Sequence, residues 1–249
     1  MRFYVVDFKK GYVHRTFLKI ALVFVILIAV SVGVVTKIYR KELFIEANAG
    51  ISDEKIIILD AGHGGEDCGA IGANGVYEKD LNLAVTLEIG KQLEEKGYVV
   101  VYTRTDDRLL YGPDEDIKGI RKISDLKNRC KIAARYPNSI FVSIHMNSFA
   151  SSKYSGLQVY YSEQNPESVR IAGSIQDTVR ESLQQKNNRV TKKGDNIYVL
   201  EHVTNPAVLI ECGFLTNSEE CDKLSEKEYQ KSLSFAIVCG IIDYVENRN

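Results

Sequence analysis

Two histidines stand where the chain would present metal ligands. His63 follows a short apolar run, residues 55–60, and His145 ends another, residues 139–145. In an open α/β sheet the carboxyl ends of such strands share one edge, where ligands bind. Two histidines and one carboxylate form a ligand set of catalytic zinc that leaves the fourth position to water. The pattern therefore predicts a candidate metal site at this edge.

Glu78 is the candidate for the carboxylate ligand, since it lies between a glycine-rich loop and a predicted helix that begins near Leu81. An acid in the first turn of a helix is also favoured by the helix dipole alone, and its position does not separate these two interpretations. The loop AGHGGEDCGA matches neither the P-loop nor the dinucleotide fingerprint. We interpret its glycines as letting the backbone pass close to a metal ligand.

Glu211 follows mostly apolar residues in the segment PAVLIECGF, residues 206–214. Burying a carboxylate on such a strand is costly unless something pairs with it, and a metal site offsets that cost. The expected role of Glu211 is that of a general base. The alternative is an acid on an edge strand that faces water. Neighbouring residues of a strand point to opposite faces, so we expect Cys212 in the core.

The elements that must position these residues alternate between strand and helix from residue 55 onward. Short apolar runs predict strands at residues 55–60, 98–103, 139–145, 156–161 and 206–212. Helical periodicity predicts helices over residues 81–93, 125–136, 171–183 and 229–244. This alternation predicts an α/β fold, a single three-layer domain with a mostly parallel central sheet flanked by helices and preceded by an N-terminal hydrophobic segment.

Local signals refine this prediction at two places. Asp80 is a suitable N-cap for the first predicted helix, and Gly97 is a suitable stop. Between the second strand and the second helix, the polar stretch of residues 104–124 is long enough to have a function.

The N-terminal region predicts export. Residues 20–36 form an uncharged apolar run, and the five basic residues within residues 1–19 favour a cytoplasmic N-terminus. The run is predicted to be a transmembrane anchor or a signal sequence. Residues Ala47–Ala49 have the small-x-small form of a signal-peptidase site, but they lie farther beyond the run than such sites usually do, so the sequence does not distinguish the anchor from the cleaved signal. Residues 37–54 are expected to be a linker, and residues 55–249 the catalytic domain.

Charge and cysteine content exclude some classes of function. The chain carries 32 Lys and Arg against 33 Asp and Glu, so no basic field attracts nucleic acid, and we expect no nucleic-acid partner. The five cysteines are scattered and never spaced C-x-x-C, which argues against a disulfide framework or a structural zinc knot.

Four segments of the chain, in order, resemble the signature blocks of a known family, the zinc-dependent N-acetylmuramoyl-L-alanine amidases of type 3. They are ILDAGHGGEDCGAIG, YEKDLNLAV, IFVSIHMNSF and PAVLIECGFLTN. The resemblance spans residues 55 to about 245. It implies that His63, Glu78 and His145 bind one Zn²⁺ and that Glu211 is the catalytic base.

The same resemblance implies hydrolysis of the amide between N-acetylmuramic acid and L-alanine in bacterial peptidoglycan. The compact length and the N-terminal apolar segment are most similar to the amidases of the spore cortex, where removing the peptide prepares muramic-δ-lactam for germination enzymes. The expected partners are peptidoglycan, the membrane through the N-terminal segment, and an accessory protein that regulates activity. The chain would act outside the cytoplasmic membrane, anchored or secreted, facing the wall or cortex.

Three further residues are candidates for substrate contact. Asn147 follows His145 by two positions and Asn217 closes the last block, although both positions also suit turn capping. Arg129 matches a basic position of the family, where it would hold an acidic group of the stem peptide or pair with a carboxylate of the protein.

Two other functions use the same residues. A zinc carboxypeptidase or endopeptidase of the cell wall has the same ligand set. A non-catalytic, membrane-tethered wall-binding module is the second alternative, and it would need a fourth protein ligand to close the metal shell.

Overall fold

A computed structural model of the protein describes residues 56–247. The predicted basic segment, apolar run and linker, at residues 1–19, 20–36 and 37–54, lie outside the described residues, so the anchor or signal stays a prediction. Among the helices that are described, none combines the length and the apolar character that crossing a membrane requires.

Six strands in the described part of the chain form one sheet, with spatial order β2-β1-β3-β6-β4-β5. The four strands β2, β1, β3 and β6 run parallel, β4 is antiparallel to β6, and β5 is parallel to β4. The prediction of a mostly parallel sheet is confirmed. The strands are β1 (Ile56–Ala61), β2 (Val99–Tyr102), β3 (Ile140–Asn147), β4 (Gln158–Tyr161), β5 (Lys192–Lys193) and β6 (Ala207–Phe214).

Helices cover both faces of the sheet and complete the predicted three layers. Helices α1, α3 and α6 pack together over one face, and α2 and α4 pack over the other. The helices are α1 (Glu78–Glu95), α2 (Arg121–Ala134), α3 (Glu167–Ser182), α4 (Tyr198–His202), α5 (Ser218–Ser225) and α6 (Lys227–Glu246), with a 3₁₀ turn at Pro113–Glu115.

Side chains of the central strands alternate between two apolar clusters, as a period of two requires. Val142 and Ile210 belong to the larger cluster, beneath α1, α3 and α6. Phe141 and Leu209 belong to the smaller one, beneath α2 and α4. Cys212 is fully buried in the larger cluster, so its predicted place in the core is confirmed.

The prediction that Asp80 caps α1 is wrong, because the helix begins at Glu78 with Tyr77 as its N-cap residue. A backbone hydrogen bond of 2.9 Å from Glu78 N to Ala70 O fixes the chain just before the helix and leaves Asp80 inside the first turn. The predicted stop is confirmed. Gly97 has φ +86°, and its N–H donates to Glu94 O at 3.0 Å in a left-handed cap.

Three short elements were not expected from the sequence. They are β5, α4 and α5, which are too brief to show a periodic pattern. Helix α2 also begins four residues earlier than predicted, at Arg121.

Two helical glycines provide a test of how tightly α3 and α6 pack. A Cβ on Gly240 would lie 2.6 Å from the Ile175 Cα, whereas a Cβ on Gly173 would meet no atom within 4 Å. We expect Gly240→Ala to lower the free energy of unfolding by ~1–3 kcal/mol through overpacking. Gly173→Ala should raise it by ~0.5–1 kcal/mol, because alanine favours the helix. Urea unfolding of both variants measures this, and equal effects would contradict the close packing.

Candidate metal centre

The structure brings the three predicted ligands together at the carboxyl edge of β1 and β3. Glu78 Oε1 lies 3.2 Å from His63 Nε2 and 3.0 Å from His145 Nδ1. Ligand atoms of the three residues all lie within 4.8 Å of one another. Two atoms bound to one tetrahedral zinc ion at ~2.1 Å are about 3.4 Å apart, so this nitrogen, oxygen and nitrogen set fits the ion. Within residues 56–247, no fourth His, Cys, Asp or Glu joins the group.

His63 is held in an unusual backbone conformation. Its φ of +61° lies in the left-handed region, which costs a residue other than glycine of the order of 1–3 kcal/mol. Its ring is fixed by a hydrogen bond of 2.9 Å between Nδ1 and Asp67 Oδ2, which leaves Nε2 directed at Glu78. A carboxylate on the far nitrogen orients a metal-binding histidine and raises its basicity. Sequence reasoning missed Asp67, whose only signal was its place four residues after His63.

Two glycines leave the space that the ligands occupy. A Cβ on Gly62 would lie 2.2 Å from His145 Nε2, and a Cβ on Gly69 would lie 2.5 Å from Glu78 Oε2. Gly69 also has φ +66°. The interpretation of the glycine-rich loop as backbone that passes close to the ligands is confirmed.

Glu78 is a buried, ionised carboxylate rather than an exposed acid of the first helical turn. Its Oε2 accepts a hydrogen bond from Ala70 N at 2.8 Å, and its Oε1 accepts one from Met146 N at 3.2 Å. Burial raises the pKa of Glu78, but hydrogen bonds from His145 and His63 outweigh it and hold the pKa well below its usual range. These interactions keep the carboxylate negatively charged, the form in which it binds a metal.

The pKa of His63 is raised by the negative charges of the neighbouring carboxylates. Burial lowers that pKa, but hydrogen bonds to Asp67 and Glu78 raise it to about 9. Two carboxylates around one imidazole thus attract a positive charge, which a proton or a metal ion supplies.

Two buried arginines clamp the loop that carries His63. Arg129 is 1% exposed and donates to Ala61 O at 2.7 Å, to His63 O at 2.8 Å, and to Asp60 and Asp125. Arg104 donates to Ala61 O and Gly62 O, both at 2.9 Å. The carbonyls of three consecutive residues, 61 to 63, are therefore held by guanidinium groups.

The polar stretch of residues 104–124 supports the loop that carries His63. Arg104 begins this stretch, and Asp107 accepts hydrogen bonds from Gly65 N at 2.7 Å and from Lys79 Nζ at 2.6 Å. Residues 104–107 therefore brace the loop after β1 and the start of α1.

Glu211 stands beside the ligands but has a different environment. It is paired with His145 across β6 and β3, and alternation along the strands turns both side chains to the α2 face. β6 lies between β3 and β4, so the edge-strand alternative for Glu211 is wrong. Its Oε2 is buried without a hydrogen-bond partner among the described residues. Burial raises the pKa of Glu211 to about 7, with His145 opposing this and Glu78 adding to it.

The three candidates for substrate contact differ in what they bind. Arg129 uses all five of its N–H groups inside the protein, on Asp60, Asp125 and two backbone carbonyls. Of the two roles that the sequence allowed, the structure shows the pairing with carboxylates of the protein. Asn217 caps α5 by accepting from Glu220 N at 3.1 Å. Asn147 is partly exposed at the end of β3. Substrate contacts of Asn147 and Asn217 stay predictions.

A partly buried cluster of histidine, glutamate and histidine, beside a glutamate whose Oε2 has no partner among the described residues, fits a metal site of the kind that hydrolases use. The chain belongs to the N-acetylmuramoyl-L-alanine amidase family, whose sequence profile matches residues 57–243. It is therefore an amidase that acts on peptidoglycan, and the comparisons support neither a carboxypeptidase nor a non-catalytic wall-binding module.

Individual relatives agree with this family. The germination-specific N-acetylmuramoyl-L-alanine amidase of Bacillus subtilis is 38% identical over 192 residues, which cover 76% of this chain and 79% of that protein. The CwlD amidase of Clostridioides difficile, solved in complex with the GerS lipoprotein, is 41% identical with a TM-score of 0.74, covering 77% and 98% of the two chains. The amidase AmiC2 of Nostoc punctiforme is 31% identical with a TM-score of 0.67, covering 78% and 98%.

The bond between Asp67 and His63 predicts weaker metal binding when it is removed. We expect Asp67→Asn to lower metal affinity ~10- to 100-fold, because the imidazole loses its orienting carboxylate. Competition with a chromophoric chelator measures the affinity. Glu66→Gln is the matched control, since the Glu66 carboxylate pairs with Arg121 instead of a ligand. Equal affinities of the two variants would contradict the role of Asp67.

Proposed function

We propose that this chain is a zinc-dependent N-acetylmuramoyl-L-alanine amidase of the spore cortex, in which His63, Glu78 and His145 bind the ion and Glu211 is the base. The unpaired Glu211 carboxylate beside the ligand cluster carries the proposal. Two imidazoles and one carboxylate suit zinc, and three protein ligands leave a position for water or substrate.

The residues of the chain divide the chemistry between them. Zinc, when bound, acts as a Lewis acid and lowers the pKa of its water to about 7. Glu211 removes a proton from the attacking water and returns it to the departing alanine nitrogen. Burial raises the pKa of Glu211 above its ordinary value, which favours a carboxylate that must first accept a proton and then release it.

This division of roles predicts separable losses. Glu211→Gln should lower turnover ~10²- to 10⁴-fold by removing the base and should keep its zinc. His63→Ala should lose both zinc and turnover, because one ligand is gone. The measurements are stem-peptide release from purified peptidoglycan, followed by mass analysis, and zinc content by atomic emission.

A chelator provides the matched control for the wild-type chain. Chelation should stop release, and added zinc should restore it. An active Glu211→Gln variant would exclude Glu211 as the base, and activity that survives chelation would exclude zinc.

The spore cortex is the proposed substrate within the larger class of peptidoglycans. Two observations support it, namely the similarity to the germination-specific amidase of B. subtilis and to the CwlD amidase of C. difficile. Removing the stem peptide would expose muramic acid for muramic-δ-lactam formation, as germination requires. Digestion of cortex and of vegetative wall in parallel tests this. Equal or faster release from vegetative wall would contradict a cortex preference.

Export through the N-terminal segment, and a location outside the cytoplasmic membrane, are part of the proposal. The apolar run of residues 20–36, with basic residues before it, supports export. Fractionation of cells that express the full chain distinguishes the two forms, since an anchor keeps it in membranes and a cleaved signal releases it shortened. A full-length chain in the cytoplasm would contradict both.

An accessory protein that regulates activity is also proposed. The CwlD amidase of C. difficile, to which this chain is similar, was solved in complex with a lipoprotein. Residues 104–107 form hydrogen bonds to the loop that carries His63, so a protein bound to this polar stretch would change the positions of the proposed metal ligands. The test compares turnover of the purified chain at saturating zinc with and without a co-expressed lipoprotein of the same source. Identical rates would contradict regulation.

A further inference from the structure

We propose that Arg189 determines specificity by binding a carboxylate of the stem peptide beside Glu211. The inference rests on the proposed function, because it concerns the substrate of the same site. Arg189 was not a candidate in the sequence, since it lies in an irregular segment between α3 and β5 with no motif around it.

Strand pairing places Arg189 close to the base. Gln158 on β4 is the direct partner of Glu211 on β6, and side chains that face each other across an antiparallel pair point the same way with Cβ atoms about 5 Å apart. Arg189 Nη1 donates to Gln158 Oε1 at 3.1 Å. Gln158 thus links the guanidinium to the strand position opposite Glu211, and Tyr160 lies within electrostatic range of both Glu211 and Arg189.

The guanidinium is held rigidly. Its Nε donates to Ser155 O at 2.8 Å, and its Cζ lies over the Phe214 ring, 4.4 Å from the ring centroid. Phe214 follows Glu211 by three residues on the same strand. An arginine that is already fixed loses little conformational entropy when it binds a ligand.

One edge of this guanidinium is left for a ligand. Arg189 is partly exposed, and within residues 56–247 its Nη2 has no hydrogen-bond partner. Burial raises the pKa of Glu220 and the positive charge of Arg189 opposes this, but the Glu220 oxygens accept from Gly156 N and Phe214 N at 2.8 and 2.7 Å and form no ion pair with the guanidinium. The free edge of Arg189 is thus available to an anion from outside.

The chemistry of the substrate supplies such an anion. When the second residue of a stem peptide is glutamate linked through its side chain, its α-carboxylate is free and lies one residue beyond the L-alanine at the scissile amide. A planar guanidinium matches a carboxylate in geometry and charge. The exposed rings of Tyr154 and Phe149 lie 5.2 Å apart, and the Tyr154 ring lies 5.7 Å from the Arg189 guanidinium. The two rings therefore extend the surface that the peptide would cross.

The alternative is that Arg189 only covers Phe214 and ties its loop to β4. Two synthetic substrates separate the two roles. Both carry N-acetylmuramic acid joined to a stem peptide, with a free α-carboxylate on the second residue in one and a neutral amide in the other. Kinetics are measured for the zinc-loaded full chain.

Arg189→Gln should lower kcat/KM for the carboxylate substrate ~10- to 100-fold, the loss expected for a hydrogen bond to a charged group. The loss should be mainly in KM, and the amide substrate should be nearly unaffected. Arg189→Lys should recover part of the loss, since it restores the charge without the planar geometry. An equal loss on both substrates, or no loss, would overturn the inference.

Arg180 provides a matched control on the same loop. Its Nη2 donates to Arg189 O at 2.7 Å and its Nε to Asn187 O at 3.1 Å, so it stabilises the backbone of the loop. Arg180→Gln should change kcat/KM by the same factor on both substrates. If it discriminates between them as Arg189→Gln does, the effect comes from loop position and the inference fails. If the wild-type chain cleaves neither substrate, the proposed function fails, and the inference fails with it.

Discussion

The candidate site depends on a pair of buried guanidinium groups. Arg129 joins Asp60 and Asp125 in the interior, and with Arg104 it holds the backbone carbonyls of residues 61–63. Removing one partner of such a buried pair typically costs about 3–5 kcal/mol, because a charge is left uncompensated. The hydrogen bonds of both guanidinium groups to the backbone fix residues 61–63, and with them the left-handed conformation of His63.

Two carboxylates within one site have opposite environments, and their roles follow from this. Glu78 is surrounded by N–H donors and imidazoles, which stabilise its charge. Glu211 is partly buried beside the same imidazoles, and its buried Oε2 accepts no hydrogen bond from the described residues. Environments that separate the pKa values of neighbouring acids also separate their functions. Glu78 is therefore suited to hold a cation, and Glu211 is suited to exchange a proton, which are the roles proposed for them.

The sequence predicted the strands and the residues that end them, because a buried strand followed by a polar residue is a local signal. His63, His145 and Glu211 were accessible in this way. Only the resemblance predicted that Glu78 is a metal ligand, since its position alone suits an acid of the first helical turn equally well. Asp67 and Arg104 were missed, because they act on backbone and ring atoms across loops. Such contacts depend on tertiary geometry, which has no period in the sequence.

The position of β6 determines when during synthesis the site becomes complete. The proposed ligands lie just after β1, at the start of α1 and on β3, all of which precede β6 in the chain, whereas Glu211 arrives on an interior strand that must insert between β3 and β4. Long-range parallel pairing of this kind is a late and slow step of folding. A nascent chain that ends before residue 206 thus has the proposed ligands without the proposed base, and its candidate site is complete only when β6 has joined the sheet.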